Sequence, residues 1–158
     1  MSTYSIHEVI QSTDRYKLYT LLCNVEELPA CIDFIKTHKI NVVNIGLELA
    51  NFINTLEDYR YLNIDVYDYT QRLLDEQKTR INNQGNDVIA VYNLGILMEP
   101  ALELNAVQLL KEFSKSAALI IIWENLFDIP DRLHWPTQQN NIFIDFIDAP
   151  IKKLQYAL

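Results

Sequence analysis

Apolar and polar residues alternate along the chain in short blocks whose period switches repeatedly between that of a strand and that of a helix. Lys17 to Cys23 is a short apolar run, and the stretch from about Pro29 to Lys39 carries helical spacing. Ile40 to Ile45 is short and β-branched, which predicts a strand. Two helices are predicted next, over about Leu47 to Thr55 and about Asp65 to Asn83, the second with Val66, Tyr69, Leu73 and Leu74 on one face. Gln84-Gly85-Asn86 breaks the chain before a buried-type strand at Val88 to Tyr92. Pro100 to Ser116 then places Leu102, Ala106, Leu109, Leu110 and Phe113 at helical spacing. Ala117 to Trp123 is the most hydrophobic run, and its shortness suits a central strand covered on both faces better than a helix. After an irregular, polar, Pro-containing stretch from Asp128 to Asn140, Ile142 to Ile147 reads as a last strand, and a further helix is expected over about Ser5 to Ser12.

Five strands separated by helices predict an α/β fold: a mostly parallel five-stranded sheet with helices on both faces. At 158 residues and 49% hydrophobic, the chain suits one domain spanning residues 1–158. No apolar run approaches the roughly eighteen residues a membrane span needs, and Met1 to Ser5 shows neither a basic nor an apolar leader, so a cytoplasmic location and no membrane partner are expected. Cys23 and Cys31 lack the spacing of a zinc site or disulfide framework and read as small packed side chains. The charge of −8, with no basic run denser than Lys152-Lys153, argues against a direct nucleic-acid footprint. A DNA mimic would need its acids more concentrated than they are here.

In a parallel sheet, ligands bind beyond the carboxyl ends of the strands, which directs attention to the loops after Cys23, Ile45, Tyr92, Trp123 and Ile147. The strand and helix order is that of a P-loop nucleotide hydrolase, but the first loop, Cys23-Asn24-Val25-Glu26-Glu27-Leu28-Pro29-Ala30, has no glycine, Lys, Ser or Thr. Its two carboxylates repel phosphate, and Pro29 lacks an N–H. The third strand ends Val91-Tyr92-Asn93, without the acid that organises magnesium in such enzymes. His7, His38 and His134 form no catalytic motif and read as surface or structural histidines. No catalytic, cofactor-binding or metal-binding residue, and no cofactor, is therefore assigned. Glu124-Asn125 follows the central strand, where ATPases of this class place a polar sensor group, although such a pair also starts ordinary turns. Trp123, Phe127 and Trp135 supply aromatic surface for a partner or for packing beneath the loop.

Asn44-Ile45-Gly46-Leu47-Glu48-Leu49-Ala50, then Val88 to Pro100 with Ala101-Leu102-Glu103-Leu104, and Leu109 to Ser114 before the strand closing on Trp123, together resemble the BrxF-like small P-loop-containing proteins of type 3 BREX antiphage systems. The resemblance spans about residues 17–147. It implies a P-loop fold and a setting beside larger defence proteins: a big ATPase, a methyltransferase and an alkaline-phosphatase-like protein. Where the family carries its Walker A loop this chain has Asn24 to Ala30, and where it carries its Walker B acid this chain has Tyr92 before Asn93, so the family's presumed nucleotide binding does not transfer.

The expected function is that of a non-catalytic pseudo-ATPase, a structural or regulatory subunit of an antiphage or DNA-modification complex that acts through protein contacts. The residues expected to meet its partner are Glu124, Asn125, Phe127, Arg132 and Trp135, within the aperiodic stretch from Glu124 to Asn140. A homo-oligomer is compatible with the sequence. The alternatives are a nucleotide-binding or hydrolysing subunit whose site a partner completes, and an α/β adaptor unrelated to defence.

Overall fold

The structure, a computed structural model, describes residues 3–81, 85–124, 132–134, 143–145 and 152–156. In chain order the strands are β1 (Thr3–Tyr4), β2 (Leu18–Leu22), β3 (Val42–Asn44), β4 (Val88–Tyr92), β5 (Ala118–Trp123), β6 (Arg132–His134), β7 (Phe143–Asp145) and β8 (Lys152–Leu154). The helices are α1 (Ile6–Gln11), α2 (Leu28–Thr37), α3 (Ile45–Thr55), α4 (Leu62–Gln77) and α5 (Ala106–Ser116). Six strands form one all-parallel sheet in the order β1-β8-β2-β5-β4-β3, and β6 and β7 pair antiparallel as a separate two-stranded sheet.

Period-two alternation sorts the strand residues to the two faces. Leu18, Ile89, Val91, Leu119, Ile121 and Trp123 pack with Leu49, Val66, Leu73, Leu74, Leu109 and Phe113 from α3, α4 and α5. Tyr19, Leu21, Val88, Ala90, Ile120 and Ile122 pack with Ile6, Val9, Cys31 and Ile35 from α1 and α2. All six residues of β5 are buried, because its sides are paired to β2 and β4 and both its faces are covered by helices. That double coverage is the physical origin of the apolar run Ala117 to Trp123.

The expectation of five strands needs correction. The sheet has six, and the strand beside β2 on its outer side is Lys152–Leu154, with Thr3–Tyr4 beyond it. The expected last strand, Ile142 to Ile147, contributes Phe143–Asp145 to the separate sheet, against Arg132–His134 from the stretch read as irregular. Strands of two or three residues are held by backbone pairing and carry too few residues to display a period.

Three element boundaries also move, each for a local reason. Ile45 opens α3 instead of closing β3, because the Asn44 side chain accepts the Leu47 N–H at 3.0 Å and caps the helix. The chain from Gly95 to Leu102 forms two 3-10 turns, and Glu103 then adopts a left-handed backbone (φ 46°). Asn105 consequently caps α5 from Ala106, accepting the Gln108 N–H at 3.0 Å, and the helix does not begin at Pro100. Helix α4 stops at Gln77, because Thr79 exchanges backbone hydrogen bonds with Val88 (2.7 and 3.0 Å).

Candidate functional site: the carboxyl ends of the strands

Strand β2 leads into α2 on one face of the sheet, whereas β3 and β4 lead into α3 and α5 on the other. The direction of winding therefore changes across β5, and the crevice beyond the carboxyl ends of β2, β5 and β4 is where a parallel sheet would place a ligand.

On the β2 side, the Cys23 N–H donates to the Trp123 carbonyl at 3.1 Å and holds the loop against β5. Val25–Glu27 then makes a single 3-10 turn, closed by the Glu27 N–H on the Asn24 carbonyl at 2.9 Å. The Asn24 amide also donates to the Glu27 carboxylate at 2.7 Å. Glu26 and Glu27 thus stand immediately before α2, where the partial positive charge of a helix start would otherwise attract an anion, and Pro29 in the first turn removes one N–H. The loop therefore sets two carboxylates beside the start of α2, which disfavours an anion there.

Glu124, half-buried at the end of β5, is close enough to Cys23 for its charge to act on the thiol. Burial, with Cys31, Glu124 and Glu27 nearby, pushes the Cys23 thiol up to about 12. It is protonated at neutral pH and has none of the thiolate character a nucleophile needs. Cys31 is fully buried, Cys23 is partly buried, and both are free thiols.

On the β4 side, Asn93 has a left-handed backbone (φ 60°), and its side-chain amide donates to Asn44 Oδ1 at 2.8 Å. Gly46 makes this approach sterically feasible, since a Cβ there would lie 2.3 Å from Asn93 Nδ2. Strand β4 thus runs through Tyr92 into a neutral amide engaged in a bond to β3, and neither residue is a carboxylate. Among the described residues, no group of three or more His, Cys, Asp and Glu side chains could hold a metal ion. His7 is exposed, and the His38 ring donates to the Phe34 carbonyl at 2.9 Å.

Of the residues expected to meet a partner, the structure places Glu124 beside Cys23 at the crevice and the backbone of Arg132 in β6. Asn125, Phe127 and Trp135 lie outside the described residues. The fold also makes two groupings that linear spacing does not show. Arg15, Lys111 and Lys115 surround the Tyr16 ring at 5.2, 5.1 and 5.8 Å, near the amino end of β2, so bases scattered in sequence do gather in space. At the opposite end, the connections after β2 and β4 hold Glu26, Glu27, Glu99 and Glu103, and Glu48 stands in the first turn of α3, with no Lys or Arg between Cys23 and Ala30 or between Asn93 and Asn105. No helix among the described residues is long and apolar enough to cross a membrane. Comparison with protein-family models, with curated proteins and with solved structures gives no match.

Proposed function

We propose that this chain is a non-catalytic subunit: a P-loop-like domain without a working phosphate loop, retained for its surfaces and acting through protein contacts in a bacterial antiphage or DNA-modification assembly. The observation that carries the reading is the acidic loop after β2, in which Glu26, Glu27 and Pro29 stand where a phosphate-binding loop needs glycines and a lysine. Support for a P-loop ancestry comes from the position of β2 inside a parallel sheet, paired on both sides, with its following helix on the face opposite α3 to α5. The defence setting rests on the sequence resemblance alone, and fold does not imply function.

Under this reading the stretch from Glu124 to Asn140 meets one of the larger proteins of the same system. Arg132→Ala and Trp135→Ala variants, each first shown to melt at the wild-type temperature, should lose co-purification with at least one product of the neighbouring genes. Two variants that fold normally and retain every partner would place the interaction elsewhere.

A further inference from the structure

The described residues include five large hydrophobic side chains that are more than half exposed: Val25, Leu47, Tyr59, Tyr61 and Ile64. Val25 and Leu47 follow the carboxyl ends of β2 and β3. The other three fall within six residues, at the entrance to α4. Ile64 and Tyr67 from the first turns of α4 face Leu104 and Glu103, from the connection between β4 and α5, across an open groove of about 380 Å³. The groove wall also holds Asp68, and no lysine or arginine lines it. Glu57, Asp58 and Asp65 flank it along the chain, and the one base in that stretch, Arg60, is already paired with Asp58 at 2.6 Å.

An exposed aromatic and aliphatic cluster with carboxylates around it does not suit an anionic ligand, and clustered exposed apolar side chains rimmed by polar ones mark protein-binding surfaces. Charge complementarity fixes the sign of the partner. We infer that the groove between the amino-terminal turns of α4 and α5 docks a basic amphipathic segment of a partner protein, its apolar side chains on Ile64, Tyr67 and Leu104 and its lysines or arginines against Asp68 and Glu103. The inference rests on the reading of the chain as a protein-binding module and gives that module a second surface, separate from Glu124 to Asn140.

The test titrates isotope-labelled protein with a short amphipathic Leu/Lys peptide, and in parallel with a Ser/Lys peptide of equal charge, following amide shifts. The Leu/Lys peptide should shift residues 59–68 and 103–108 and weaken with added salt. The Ser/Lys peptide should bind at least tenfold more weakly. The Ile64→Lys and Glu103→Lys variants alter exposed positions and should fold normally. Each should weaken the Leu/Lys peptide about tenfold, which corresponds to about 1.4 kcal/mol. Equal binding of the two peptides, shifts centred elsewhere, or affinity unchanged in both variants would overturn the proposal. So would groove shifts that grow with protein concentration in the absence of peptide, since the occupant would then be a second copy of this chain. A nucleotide-stabilised protein would instead refute the non-catalytic reading and leave the peptide result to stand or fall by itself.

Discussion

Asn93 Nδ2 donates to Asn44 Oδ1 at 2.8 Å, and the same oxygen accepts the Leu47 N–H that starts α3. One side chain therefore caps a helix and joins the carboxyl ends of β3 and β4, which are paired as far as Asn44↔Tyr92. Gly46 is required by that contact, because a Cβ would lie 2.3 Å from Asn93 Nδ2 and 2.7 Å from Asn93 Cγ. Gly46→Ala should displace the Asn93 amide and lower stability by about 1–3 kcal/mol. In an Asn93→Ala background the added penalty should shrink, because the two closest colliding atoms are gone, leaving only the residue 93 carbonyl oxygen at 3.0 Å, and the two sites are coupled. Urea unfolding of the two single variants and the double variant measures this, and strictly additive losses would contradict the described contact.

Ile121 is fully buried in β5, with Thr20 and Val91 as its neighbours across the sheet. Ile121→Asp places an unpaired charge there, costing several kcal/mol against a total stability of about 5–15 kcal/mol. The variant should not accumulate as folded protein. Leu47→Asp, at a position 54% exposed, should stay within about 0.5 kcal/mol of wild type. A soluble, cooperatively unfolding Ile121→Asp protein would refute the central placement of β5.

Those outcomes bear on the parts of the fold that are legible in the sequence. Strands β2, β5 and β4 are readable because burial on both faces forces continuous apolar runs, as in Val88 to Tyr92 and Ala118 to Trp123. The β1 and β8 side of the sheet is not readable. Lys152–Leu154 has one buried residue, Leu154, and its place beside β2 comes from pairings such as Tyr19↔Lys152. The missing phosphate loop is legible, since it depends on residue identities within one loop. The Asn44–Asn93 bond is not, because 49 residues separate the partners and neither has a periodic signature. The groove at α4 and α5 is equally invisible in sequence, because Ile64 sits at an ordinary helical position and only the fold leaves it uncovered.

Asp14 pairs with Lys152 at the start of β8, and that contact holds its carboxyl below the usual carboxylate range. A carboxyl depressed by folding adds stability above its unfolded pKa of about 3.9 and loses it as pH falls through the folded value. Asp14 is largely solvent-exposed, so screening limits the contribution to at most about 1 kcal/mol. Asp14→Asn should leave the acid limb of the stability profile flatter than wild type, with the two profiles converging at the acid end. Urea midpoints across the acid range measure this, and a wild-type slope in the variant would show that the pair does not act on folding.

Under the proposed function, the crevice beyond β2, β5 and β4 holds no nucleotide. A ligand at a hundredfold excess over its Kd stabilises a protein by about 2.7 kcal/mol. For a domain of this size that raises the Tm by roughly 5–10 °C, at about 2–4 °C per kcal/mol. Thermal unfolding in millimolar ATP with magnesium, compared with magnesium alone, is the direct measurement. The expected result is an unchanged Tm, because Glu26 and Glu27 put two carboxylates immediately before α2, which repel phosphate, and the amide after β4 is bound to Asn44. A reproducible, magnesium-dependent rise of several degrees would contradict it.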